Sequence, residues 1–316
     1  MKYRKFGRTG LEVSEIGIGG WQLSGPLYFD GTSDGHPDLG MSHVTDLIRS
    51  MGEHGINFID TAAQYGGGEG ERRVGEALKD QRDRWVVSTK FGASVGPNGE
   101  PISDLRGEAI LNSLEESLRR LKTDRIDLFL YHVNPAADQI DESAAAIQKA
   151  KDQGKIRYSG ISTRNAEILP LLIEKSDVDV LQFKSSLLDT NAVMRGFVEE
   201  NGLGGVVRGA FAEGRLSGKY FDKNPEFIQD DIRSVIMQDE NYRRYSVLRR
   251  VVPFGMTMTQ FALRYLLDID TTHTIIIGGK NIADYEDALK TTECKMLSQD
   301  VVAETENIVS SLNSSV

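Results

Sequence analysis

Cysteine is nearly absent: Cys294 is the only one in 316 residues. A single thiol excludes an internal disulfide and fits a reducing compartment. Cys294 itself reads as an inert, partly buried thiol. Long apolar runs are missing too. Nothing approaches the ~18 consecutive apolar residues of a membrane span. The basic start "MKYRKFGRTG" leads into no apolar stretch, so it is no signal peptide. These absences point to the cytosol. There is no low-complexity linker, and no His, Cys and Asp cluster has metal-site spacing. Positive charge is in deficit: 37 Lys and Arg stand against 47 Asp and Glu, a net charge of -10. That argues against nucleic acid or an anionic membrane as the main partner, without excluding a local basic pocket for a phosphate.

What is present is an alternation. Hydrophobic residues make up 39% of the chain, enough for a sizeable core. In "YRKFGRTGLEVSEIGIGG", Gly7 and Gly10 flank a turn while Leu11 and Val13 alternate with polar residues, the pattern of a hairpin. Eight strand candidates follow: "EIGIG", "INFID", "WVVSTK", "IDLFLYH", "KIRYSGIS", "VDVLQF", "GGVVRG" and "THTIIIGG". Helical patterns lie between them. In "GEAILNSLEESLRRLK", Ile110, Leu114, Leu118 and Leu121 recur at helical spacing. Gly55, Gly154 and Gly202 stand where helix C-terminal caps belong. A repeated strand–helix unit implies a parallel sheet. Eight units imply a closed (β/α)₈ barrel, with the hairpin sealing its bottom. An open doubly wound sheet is the alternative, but "GIGGWQ" lacks the GxGxxG spacing and opens no helix. The tail "SQDVVAETENIVSSL" reads as a further helix capped by Ser298, and residues 1–316 read as one domain. Two long connections, residues 22–40 and 209–255, would both sit on the C-terminal face, where barrels build their sites.

Strand ends converge at that face. The second strand ends at Asp60, the third at Lys90 and the fourth at His132, and Tyr65 follows the second by one short loop. Each residue alone has an ordinary reading: a helix cap, a solvated loop lysine, a satisfied core histidine, a packed ring. Together they would put a carboxylate, a phenol, an ammonium and an imidazole at one mouth.

Here the chain resembles the aldo-keto reductases along essentially its whole length. Within that superfamily it is similar to the bacterial sugar- and inositol-related branch and to the potassium-channel β subunit. The resemblance is carried by "KFGRTGLEVSEIGIGGWQLSG", "INFIDTAAQYGGGEGERRVGEAL", "VVSTKFG", "SLEESLRRLKTDRIDLFLYHVN" and "GKIRYSGIS". It implies a catalytic tetrad at Asp60, Tyr65, Lys90 and His132, and nicotinamide-dependent reduction of an aldehyde or ketone, including sugars and polyols. Tyr65 would be the acid. An adjacent ammonium stabilises a phenolate, the part implied for Lys90, with Asp60 holding Lys90 charged and His132 donating to the carbonyl. The resemblance further implies cofactor contacts from Gly20, Trp21, Ser162, Thr163 and Gln182. From "FAEGRLSGKY" it implies Ala212, Gly214, Leu216 and Lys219, and from "IIIGGKNIADYEDA" Gly278, Gly279, Lys280 and Asp284.

Three positions depart from the family pattern. Ser185 replaces a Tyr that stacks on the nicotinamide, with Phe211 or Phe183 as a substitute ring. Asp284 stands for Gln or Arg, where a carboxylate repels a 2′-phosphate or accepts from a ribose hydroxyl. Ala288 replaces an Asn that contacts adenine. The family usage favours NADP(H) and leaves NAD(H) open, with Lys280 and Arg164 as cations for a phosphate. Arg208 reads equally as an outer salt bridge or as a pyrophosphate or substrate contact. The substrate, a small carbonyl or alcohol, would meet Trp21, Tyr28, Phe29, Phe91, Tyr65 and His132, while Asp30 and Asp34 would be solvated. Two other functions stay open: a cofactor-binding regulatory or redox-sensing subunit, and a barrel that has lost its cofactor and does non-redox sugar chemistry. The oligomeric state is not legible.

Overall fold

The computed structural model describes residues 1–237 and 240–314. Eight parallel strands close into a barrel: Ile16–Gly19, Phe58–Asp60, Val86–Phe91, Ile126–Tyr131, Ile156–Thr163, Val180–Lys184, Gly204–Arg208 and Thr274–Ile277. Each pairs with the next in sequence, and the eighth pairs back onto the first through Ile275 and Ile16. These are the eight segments expected from the apolar runs. The hairpin is also present, Tyr3–Lys5 against Glu12–Ser14. It carries Phe6 and Val13, both fully buried, into one apolar cluster with Phe58, Leu128, Val180 and Val206.

That cluster reveals the inward phase of the strands. Side chains alternate across a strand, so two residues beyond Phe58, Val180 and Val206 come Asp60, Gln182 and Arg208. Lys90 and His132 continue the inward sets of Val86 and Leu128 in the same way. The odd-phase residues Ile59, Val87, Phe129 and Leu181 face the helices, in the larger cluster that also holds Ile48, Leu114 and Ile147. The barrel is therefore apolar at its floor and polar and charged at its mouth.

The helices Met41–Glu53, Gly107–Leu121 and Ile140–Asp152 cover the outside. Gly55, Gly154 and Gly202 end helices with φ of 88°, 70° and 60°, the left-handed region where glycine carries no penalty. The final helix, Gln299–Asn313, starts at Ser298, whose hydroxyl accepts from the Val301 N–H. The two long connections do lie at the mouth, and they interlock. The Ile232 N–H donates to the Gly35 carbonyl at 3.2 Å, the Ser33 hydroxyl to the Asp230 carbonyl at 3.1 Å, and the Tyr28 hydroxyl to the Asp230 carboxylate at 2.5 Å. A third excursion, the hairpin Ala93–Val95 with Pro101–Ser103, turns through "GPNG".

Candidate active site

The turn "AQYGGGEG" follows the second strand, and its glycines set Tyr65. Gly66, Gly67 and Gly68 all take positive φ (56°, 61° and 91°) before the helix Glu69–Leu78 begins. A Cβ on Gly66 would lie 2.1 Å from the Ser24 carbonyl oxygen, so only glycine lets the turn pack against the first connection there. The helix is tied to the barrel by Glu71, fully buried, which accepts from the Thr89 hydroxyl and the Arg120 guanidinium, each at 2.6 Å.

Lys90 is fully buried. Its ammonium donates to Asp60 Oδ2 at 2.6 Å, the Thr61 carbonyl at 2.8 Å and Tyr65 Oη at 3.2 Å. Burial disfavours its charge, but the interactions with Asp60 and then with Tyr65 outweigh burial and hold its pKa above the ordinary lysine value. Asp60 Oδ1 accepts from the Ser88 hydroxyl at 2.8 Å and the Gln182 amide at 2.9 Å. The carboxylate is thereby fixed from three directions. His132 meets Tyr65 edge-on, ring centroids 5.6 Å apart. Burial, then the charges of Lys90 and Arg208, lowers its pKa to about 3. It is neutral, so it offers one N–H and one lone pair.

A cavity of about 500 Å³ opens over this group. Of the residues implied to contact a cofactor, Gly20, Trp21, Arg208, Gly214, Lys219, Gly278, Gly279, Lys280 and Asp284 line it. Ser162, Thr163 and Gln182 sit beneath it, engaged with other groups. The Ser162 hydroxyl donates to the Gln182 amide oxygen at 2.7 Å, and Thr163 donates to Asn134 at 2.7 Å. Arg208 is no outer salt bridge. Its guanidinium faces the cavity with that of Arg164, and neither has a hydrogen-bond or ion-pair partner among the described residues. Burial lowers the pKa of Arg208. Asp284 is not a bare carboxylate. Oδ1 accepts from Lys219 at 3.1 Å and Oδ2 from the Lys280 N–H at 2.9 Å.

Several expected contacts are not made. Phe91 follows Lys90 and therefore points outward; it is fully buried and packs on Phe129 and Tyr131 at 4.5 Å each. Phe183 follows Gln182 and is buried for the same reason, beneath Arg195, so of the two substitute rings only Phe211 is on the cavity wall. Tyr28 and Phe29 form a small strand with Thr32–Ser33 at the rim, off the cavity lining, with Tyr28 exposed. Leu216 is fully buried, in a satellite core with Phe221, Leu248 and Phe261, and Ala212 is buried beside it. Ser185 is buried, donates to the Thr190 carbonyl at 2.9 Å and accepts from Arg195 at 3.0 Å. Ala288 is fully buried toward the barrel. Two of the three departures thus lie off the cavity. Asp34 is half-buried and accepts from Gln64 at 3.1 Å. The sequence reading missed His36, Asp231 and Arg233 at the mouth; only their position in the long connections could have marked them.

A closed parallel barrel carries at its mouth a buried carboxylate–ammonium pair bonded to a half-buried phenol. The chain belongs to the aldo/keto reductase family, whose model matches residues 15–310. It is 29% identical over 308 residues to the oxidoreductase YqkF of Bacillus subtilis (strain 168), covering 96% of this chain and 94% of that protein. Among solved structures it is similar to the holo form of aldo-keto reductase AKR11C1 from Bacillus halodurans, with 27% identity, a TM-score of 0.82, and coverage of 98% of this chain and 96% of that one. It is also similar to glycerol dehydrogenase AKR11B4 from Gluconobacter oxydans, with 26% identity, a TM-score of 0.82, and 97% and 94% coverage. Among the described residues no helix is long and apolar enough to cross a membrane, and no group of three or more His, Cys, Asp or Glu could hold a metal.

Proposed function

We propose that the protein reversibly reduces an aldehyde or ketone with a nicotinamide cofactor, Tyr65 being the proton donor. The observation that carries this reading is the fully buried Lys90 ammonium, bonded at once to Asp60 and to the Tyr65 hydroxyl. Lys90 has no solvent to stabilise its charge, so its field is directed at the phenol oxygen. Tyr65 gives its proton to the carbonyl oxygen, and Lys90 stabilises the phenolate that is left. His132, neutral, donates its N–H to the same oxygen and sets the pose. The cofactor would supply the hydride that the carbonyl carbon receives.

The residues present fit such a cofactor. Arg208 and Arg164 are cations with no carboxylate partner among the described residues, suited to phosphates. Gly278 and Gly279 line the cavity beside these cations, and a Cβ on either would run into the protein's own Gln22 or Tyr285 side chain, so glycine is what lets this wall close up. Because Lys219 and the Lys280 N–H already occupy Asp284, its repulsion of a 2′-phosphate is weakened. Together with Arg164 this favours NADP(H), with NAD(H) as the alternative. Glycerol dehydrogenase among the similar structures is in keeping with a polyol or sugar as the alcohol partner. Tyr65→Phe tests the reading. Carbonyl reduction should vanish while cofactor titration is unchanged; a variant that still turns over would remove Tyr65 from the donor role.

A further inference from the structure

His36 is 97% withdrawn from solvent: its exposure is 3%. It sits on the cavity wall, in the first long connection. Both its ring nitrogens are buried and neither has a hydrogen-bond partner among the described residues. His273, half-buried and off the reaction centre, accepts from the Gly205 N–H at 2.9 Å. The two exposed ones, His43 and His54, each bond a backbone carbonyl. A buried polar group is ordinarily paired, so an imidazole with two idle nitrogens beside a cavity points to a partner that enters the cavity.

The surroundings hold the ring there. Gly35 lets the chain pass close to itself, since a Cβ on it would lie 2.5 Å from the Leu27 nitrogen. The His36 backbone N–H donates to the Gly25 carbonyl at 3.3 Å. The ring meets Trp21 edge-on at 5.1 Å, and Trp21 stacks on Tyr65 at 6.2 Å and 29°. His36 is therefore one aromatic ring removed from the proton donor. The Asp231 carboxylate comes within 3.8 Å of Nδ1, too far for a hydrogen bond. It is instead held by the Arg233 side chain at 2.7 Å and by Lys280 at 3.5 Å.

We propose that His36 is a specificity-determining residue whose imidazole hydrogen-bonds a hydroxyl group of a molecule bound in this cavity. This rests on the reductase reading above. A neutral imidazole presents one donor and one acceptor, and a hydroxyl is the group that answers both. Burial lowers the pKa of the ring below its ordinary value, against the nearby Asp231 carboxylate, which raises it, and with Lys280 and Arg233 adding to the lowering. A carboxylate or phosphate could take only the N–H of the neutral ring and would leave the other nitrogen's lone pair without a donor. The hydroxyl can come from a hydroxylated carbonyl substrate or from a ribose of the cofactor.

The test replaces His36 by Phe and, in parallel, by Leu, so that the fit of one side chain does not decide the result. His36→Gln keeps a donor and an acceptor. Two quantities are read: the ratio of kcat/KM for glyceraldehyde, erythrose and ribose to that for propanal, butanal and pentanal, and the Kd for NADPH and NADH by fluorescence titration. A fall of about tenfold or more in the ratio for at least one aldose, kept within about threefold by Gln, supports a substrate hydroxyl. A rise of about tenfold in Kd with the ratio unchanged supports a ribose hydroxyl. If hydroxylated and plain aldehydes lose kcat/KM alike with Kd unchanged, His36 is structural and the proposal fails; it fails equally if nothing moves. If the parent protein neither binds a cofactor nor reduces any of these aldehydes, the reductase reading fails and takes the proposal with it.

Discussion

Replacing Asp60 by Asn removes the carboxylate that does most to keep Lys90 an ammonium. Lys90 is fully buried, and its carboxylate partner lies at 2.6 Å with 3% of its side chain exposed. Removing one partner of such a buried pair leaves an uncompensated charge, at about 3–5 kcal/mol. The Thr61 carbonyl at 2.8 Å still accepts from the ammonium, which limits the cost. Against that, the new amide must place a donor toward Lys90 or toward the Ser88 and Gln182 donors that Asp60 accepts now. The expected loss is therefore about 3–5 kcal/mol near pH 6. It should shrink as pH rises, because a buried lysine without its carboxylate can shed its proton and escape the penalty. Urea unfolding followed by circular dichroism at pH 6 and 9 measures this, for Asp60→Asn, Lys90→Met and the double variant. The double variant should be at least about 1–2 kcal/mol more stable than the sum of the single losses implies. An Asp60→Asn protein within about 1 kcal/mol of the parent, or a cycle that is simply additive, would refute the claim that this pair is electrostatically coupled in the dry barrel mouth.

Other outcomes follow from the same geometry. Gly66→Ala should cost about 2–5 kcal/mol, from the left-handed backbone and the 2.1 Å approach to Ser24, and should depress turnover by moving Tyr65. Gly67→Ala, with nothing within 4 Å of its Cβ, should cost only about 1–2 kcal/mol; equal losses in the two would show that the Ser24 contact does not matter. His273 has its pKa lowered to about 4, by burial and then by Arg4. The fold favours its neutral form, so that stabilisation is complete above the ordinary value near 6.5 and is lost as pH falls from there through about 4, up to about 3 kcal/mol. The parent should thus lose more stability between pH 7 and pH 5 than His273→Asn, whose amide oxygen can accept the same Gly205 bond; parallel losses would contradict this.

The barrel was legible because each strand is a short apolar run between turn or helix signals, and each of the eight fell where a run was. Asp60, Lys90 and His132 were legible because strand ends of a barrel share one face. The errors at the site have one cause each. Phe91 and Phe183 are adjacent to the inward residues Lys90 and Gln182, and period-two alternation sends them outward; proximity in sequence was taken for proximity in space. Ser185 is claimed by Thr190 and Arg195 in the irregular turn and helix that follow its strand, and Leu216 by the satellite core. His36, Asp231 and Arg233 come together only because residues 22–40 and 209–255 interlock, and irregular segments leave no periodicity from which their pairing can be read.

The measurement that tests the central claim most directly is a fluorescence titration of the purified protein with NADPH and NADH, side by side. Trp21 lines the cavity and gives an intrinsic signal. Saturable quenching is expected with both the parent and Tyr65→Phe, tighter for NADPH if Arg164 and the lysine-paired Asp284 act as argued. Titrations with neither cofactor saturating would contradict the account: the Asp60–Lys90–Tyr65 set would then serve chemistry that needs no hydride.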